Sequence, residues 1–121
     1  MEAQKVYYLS MDFSQKIWDL VGTWPFFARD TNGKQIVRSS DSISANLKEG
    51  FGRYSFKDRN LFNIYSRGSL FETHCWLEKA ITRQLISKQE FDGLINDHDL
   101  LHIEINRMIN NTREQVNRKL K

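Results

Sequence analysis

Residues 39–55 read SSDSISANLKEGFGRYS, and the fold turns on whether they form loop or helix. Serine, asparagine and glycine punctuate loops. Yet Ile36, Ile43 and Leu47 recur at helical spacing through this stretch, and helix-like patterns flank it on both sides. An irregular connection of about twenty residues is unusual inside so small a domain. The segment from Lys34 to about Tyr54 is therefore expected to be helical, its small side chains letting neighbouring backbones come close. A second stripe, Arg38, Ser42, Ala45, Asn46, Glu49 and Arg53, shares the opposite side. Glu49 can reach Arg53 one turn on. The stripe is expected to meet the next helix in a buried polar network of Arg38, Ser42, Asn46, Glu49, Arg53, Ser69 and Glu72.

Outward from this segment the pattern stays helical. Phe13, Ile17, Leu20, Val21 and Trp24 predict a first helix over about 10–24, with Ser10 or Ser14 as its cap. Pro25 should end it, because the residue before a proline resists helical geometry. FFARDTNG, residues 26–33, reads as a loop with Asp30 or Thr31 capping a second helix over about 33–54. Ser55 and Asp58 resemble a capping box opening a third helix over about 56–85. Its apolar arc is wide: Leu61, Ile64, Tyr65, Gly68, Glu72, Trp76 and Lys79 along one line, and Leu70, Leu77 and Ile81 along another. Ser87 and Glu90 form a full capping box for a fourth helix over about 88–118, whose face includes Phe91, Leu94, Ile95, His98, Leu101, His102, Ile105, Met108 and Ile109. Short connections imply antiparallel neighbours. The expected fold is all-α, one domain over 1–121, an antiparallel up-down four-helix bundle.

The net charge of +3 and pI near 9.1 permit nucleic-acid contact without demanding it. Position says more than the sum. Glu90, Asp92, Asp97, Asp99 and Glu104 precede Arg107, Arg113, Arg118, Lys119 and Lys121 along the fourth helix. That order complements a helix dipole; it also makes a basic surface. With the cluster at the second turn, the candidate RNA or DNA contacts are Arg53, Lys57, Arg59, Arg107, Arg113, Arg118, Lys119 and Lys121. Cys75 stands alone, so no internal disulfide can form, which suits a cytoplasmic setting. No apolar run approaches the ~20 residues of a membrane span.

Other chemistries find little support. EGFGR, residues 49–53, has no preceding strand and no following Gly-Lys-Ser/Thr, so it fails as a phosphate loop and reads as a helix end whose glycines ease the exit. Arg38, Glu49, Arg53 and Glu72 read as structural rather than catalytic. His98 and His102 have metal-binding spacing, but the repeated Glu-x-x-His of dinuclear bundles is missing. No metal and no cofactor are expected. His74 and Cys75 point about 100° apart on a helix and do not make a nucleophile–base pair. Cys75 reads as packing, and Trp18, Trp24 and Trp76 as core or interface aromatics. No enzyme is expected.

QIVRSSDSISANLKEGFGRYS at 35–55, followed by RGSLFETHCWLEKA at 67–80, carries a family resemblance. It resembles the four-helix-bundle proteins encoded by intervening sequences in bacterial large-subunit ribosomal RNA genes, a family related to the accessory protein of diversity-generating retroelements. The matching positions are Gln35, Ile36, Arg38, Ser39, Ser42, Ile43, Asn46, Leu47, Glu49, Gly50, Gly52 and Arg53, then Gly68, Ser69, Leu70 and Glu72, with Trp24-Pro25 closing the first helix. The segment FFARDTNGK and Ser66 depart from the pattern. The resemblance implies an up-down four-helix bundle that assembles as a homopentamer, and it assigns no settled biochemical activity. Its retroelement branch implies nucleic-acid binding, or a scaffold role for a partner encoded nearby, such as a reverse transcriptase.

Overall fold

A computed structural model describes residues 1–120. The helices are α1 (Ala3–Val21), α2 (Lys34–Phe51), α3 (Phe56–Thr82) and α4 (Lys88–Leu120). Each packs on its neighbours in sequence and α4 returns to α1, so the four make a closed up-down ring. The described residues contain no strand. The core runs along the axis through Val6, Phe13 and Ile17 of α1, Ile36, Ile43 and Leu47 of α2, Leu70 and Leu77 of α3, and Leu101, Ile105 and Ile109 of α4.

Two capping predictions hold at atomic detail. Ser55 Oγ accepts from Asp58 N at 3.1 Å. At α4, Ser87 Oγ accepts from Glu90 N at 3.0 Å while Glu90 Oε1 accepts from Ser87 N at 2.8 Å. These bonds satisfy donors that a helix start otherwise leaves unpaired.

Three boundaries differ from expectation. α1 begins at Ala3, since Val6 continues the buried row one turn before Ser10. Ser10 and Ser14 are not caps; their hydroxyls donate back to the carbonyls of Tyr7 and Met11, which gives each buried hydroxyl a partner inside the helix. The expected loop after Pro25 is helical. A short turn, Phe26–Ala28, leads into a π-helical stretch, Arg29–Gly33, and on into α2. Pro25 ends one helix and also starts the next: its carbonyl accepts from Arg29 N at 2.9 Å, and its missing N–H does no harm there. Thr31, expected as a cap, instead donates its hydroxyl to Phe27 O at 2.7 Å. The stretch buries Asn32, which donates to the Trp76 carbonyl and accepts from Arg83, tying this end of the bundle together. Gly33 lies so close to α1 that a Cβ there would fall 2.6 Å from Val21 Cγ1.

α3 ends at Thr82. Gln84 takes the left-handed conformation with φ 58°, Leu85 N donates to Ala80 O at 2.9 Å and Gln84 N to Ile81 O at 3.1 Å. This is the Schellman pattern, where glycine is the usual occupant.

Between α3 and α4 all three histidines gather. His98 is 5% exposed. Its ring centroid lies 4.8 Å from that of His74 and 6.2 Å from that of His102, and His102 meets Phe71 edge-on at 4.9 Å. His98 Nδ1 stands 3.1 Å from Asp99, whereas its Nε2 is buried without a partner. Burial holds the His98 pKa below its ordinary value; the Asp99 hydrogen bond opposes this and the neighbouring histidines add to it. A histidine depressed in the folded state binds its proton more readily when unfolded.

Two outcomes follow from this packing. Gly33→Ala should lower stability by about 1–3 kcal/mol, since the stiff Val21 side chain must yield, whereas Gln84→Gly should raise it by up to about 1 kcal/mol by relieving the left-handed strain; urea melts of the two variants check both signs. The His98 contribution is fully present well above its unfolded pKa, near 6.5, and is lost as pH falls from there through the lower folded value. The midpoint of denaturation should therefore drop as pH falls below about 6.5, and His98→Leu should flatten that drop.

Candidate functional site

The stripe of α2 expected to form a buried network lies instead at the outer edge of the α2–α3 contact. Arg38 pairs with Glu72 across the two helices and is braced by Gln35 Oε1 at 3.2 Å. Trp76 Nε1 donates to the same Glu72 carboxylate at 3.1 Å. Arg53 pairs with Glu49 at 2.6 Å. The two pairs are separate, and their side chains keep 40–55% of their exposure. Ser42 and Asn46 satisfy themselves on carbonyls of their own helix, and Ser69 offers its carbonyl to Thr73. Burial of the network is therefore corrected. Exposed pairs of this kind contribute at most about 1 kcal/mol.

The interior of that contact belongs to smaller groups. Ser39 and Thr73 place their hydroxyls 2.9 Å apart, and Ser66 Oγ donates to Ile43 O at 2.8 Å; all three residues are buried. A Cβ added at Gly50 would stand 3.2 Å from Arg59 O and 3.2 Å from Phe62 Cβ. Gly50 and Gly52 therefore do not serve the helix exit by unusual dihedrals; no glycine has positive φ. Gly50 serves proximity. Sequence reasoning passed over Ser39, Ser66 and Thr73 as a seam. The signal was present: Ser39 and Gly50 fall three residues from Ile36 and Leu47 on the buried face.

The basic candidates converge. The turn between α2 and α3 and the last turns of α4 reach the same end of the bundle, where the Phe56 ring has the Arg59 guanidinium at 5.3 Å and the Lys119 ammonium at 5.2 Å. Arg53 lies over Phe62 at 4.6 Å, and Arg59 Nε donates to Arg53 O at 2.7 Å. Lys57, Arg113 and Arg118 are exposed. Arg107 is engaged elsewhere: it bonds Glu104 at 2.9 Å, a carboxylate 3% exposed that also takes the Met1 ammonium at 3.2 Å. Arg107 thus balances a buried charge while its own side chain stays 66% exposed, so it remains on the surface of α4. Lys121 lies outside the described residues. A cleft of about 360 Å³ opens at this end, lined by Phe51, Phe56, Arg59, Asn63, Met108, Asn111 and Gln115 among others.

Among the described residues, no group of three His, Cys, Asp or Glu side chains is placed to hold a metal ion. Cys75, expected to pack, is exposed, because the buried row of α3 runs through Ser66, Leu70, Thr73, Leu77 and Ala80. His74 Nδ1 faces Glu78 at 3.1 Å rather than the thiol. The line Leu61, Ile64, Tyr65 and Gly68 on α3 points outward, with Phe71 beside it and Ile103 exposed on α4. No described helix is long and apolar enough to cross a membrane.

Comparison with known proteins agrees with this architecture. No curated protein matches the chain. Among solved structures, a crystal structure of a protein of unknown function from the S23 ribosomal protein family of Bacteroides thetaiotaomicron aligns with a TM-score of 0.78 and 26% identity, covering 86% of this chain and 97% of that one. The family model for 23S rRNA-intervening sequence proteins matches residues 2–111, from the start of α1 into α4. The chain belongs to the 23S rRNA-intervening sequence protein family.

Proposed function

We propose that the protein is a non-enzymatic, self-associating bundle of the cytoplasm that binds structured RNA or DNA through its basic end. The observation that carries the reading is convergence. Arg53, Lys57 and Arg59 are separated by 54 to 66 residues from Arg113, Arg118 and Lys119, yet Phe56 touches a cation from each set. A modest net charge is thereby concentrated where a polyanion can meet it. Self-association would multiply that field, and the resemblance of the α2–α3 motif implies five copies. The outward row Leu61, Ile64, Tyr65 and Phe71 supplies apolar surface for such assembly.

That same row favours a second reading, a scaffold for a protein encoded nearby, with a reverse transcriptase as the partner suggested by the retroelement resemblance. In that case the cations serve solubility and α4's dipole alone.

Fluorescence anisotropy with a hairpin RNA and a duplex DNA across a salt series separates the two. Nucleic-acid binding predicts affinity falling linearly on logarithmic axes with salt, and Lys57→Ala or Lys119→Ala should each flatten the slope by about 0.9 for duplex DNA. Flat traces at low salt favour the scaffold. Mass measurement in solution, with Phe71→Glu as the interface variant, should show a multimer that the substitution dissociates.

A further inference from the structure

Tyr54 is 98% exposed. It sits between Gly52, which closes α2, and Ser55, which caps α3. The other rings at this end have partners: Phe62 lies under Arg53, Phe56 has Arg59 and Lys119, and Phe51 meets Tyr7 edge-on at 6.2 Å. A bare aromatic ring is an exposed apolar surface that the packing of this fold does not use.

The turn that carries it is held on both sides. Arg53 N donates to Gly50 O at 3.1 Å, Arg59 Nε to Arg53 O at 2.7 Å, and Asp58 N to Ser55 Oγ at 3.1 Å. The backbone around Tyr54 is thus tied to both helices, so the ring is presented from a fixed base. Arg53, Lys57 and Arg59 lie within five residues of it in sequence. Cations that track a phosphate backbone, set beside a free aromatic face, are the elements of single-strand recognition. A duplex keeps its base faces inside the stack, and offers such a ring only its ends.

Building on the basic-end reading, we propose that this end binds unpaired nucleotides, with the Tyr54 ring stacking on a base while Arg53, Lys57 and Arg59 hold the flanking phosphates. The surface is then selective for loops and single strands over continuous duplex, and its preference for base identity is weak, since every base has a π-face.

Anisotropy of the full chain with a single-stranded RNA of about 12 nucleotides, and with the blunt duplex of the same sequence, tests this by comparing wild type, Tyr54→Ala and Tyr54→Phe. The expected result is that Tyr54→Ala weakens single-strand binding roughly 5- to 100-fold, leaves the salt slope and thermal melt unchanged, and hardly alters duplex binding, while Tyr54→Phe behaves as wild type. Equal affinity of wild type for both forms, with Tyr54→Ala silent, overturns the inference and leaves the basic-end reading standing. Equal losses on both forms also overturn it. Absence of binding by wild type to either form at low salt overturns both.

Discussion

α2 and α3 approach each other through hydroxyls and glycine rather than through large apolar side chains, and the remaining helices are arranged around that approach. Ser39, Ser66 and Thr73 are each 1% exposed or less. A buried hydroxyl is tolerated only with a partner, and here each hydroxyl has one: Ser39 on Ile36 O, Ser66 on Ile43 O, Thr73 on Ser69 O. Ser66 is the informative case, because its bond crosses from α3 to the backbone of α2. The seam therefore sets axial register as well as separation, something that leucine packing alone does less sharply. Gly50 extends the same constraint to the end of α2, where the backbone of α3 leaves no room for a Cβ without displacement.

With the interior of the contact filled by small groups, longer polar side chains of α2 are displaced to its rim. Arg38, Glu49 and Arg53 remain half exposed for this reason. The rim pairs still contribute orientation. Glu72 receives both Arg38 from α2 and the Trp76 indole from its own helix, which fixes the ring beside the Asn32 segment. On the far side of α3 the consequence is different. A helix that spends one face on α2 and another on α4 has only its outer arc left, and that arc carries Leu61, Ile64 and Tyr65. The wide apolar arc seen in the sequence is thus two faces with two purposes, one buried within the chain and one available to another molecule.

The helical reading of residues 39–49 came from Ile36, Ile43 and Leu47, whose spacing outweighed the loop-like serines and glycines. The capping boxes at Ser55 and Ser87 were legible because their bonds are local. Features that depend on which neighbour a side chain meets were not. Periodicity places Arg38 and Ser39 on adjacent faces, but does not say which face meets α3. Residues 26–33 misled for a related reason: Pro25 and Gly33 are loop signals in isolation, yet here one starts a helix and the other makes room for Val21. Within the candidate site, the cations were visible one by one. Their meeting at Phe56 needed the fold.

The charge on α4 has a structural explanation that reaches only part of the surface. A helix dipole acts within about the last turn, so it accounts for Arg118 and Lys119, whereas Arg113 stands seven residues before Leu120. Arg53, at the end of α2, is also favourably placed. Lys57 and Arg59 are not. They occupy the first turns of α3, where unpaired N–H groups make the dipole positive and cations unfavourable. Asp58 and the Ser55 cap offset part of that repulsion. Dipole complementarity therefore cannot be the common cause of the cluster. A polyanion crossing this end would be such a cause, since it draws on the helix terminus and the cations alike.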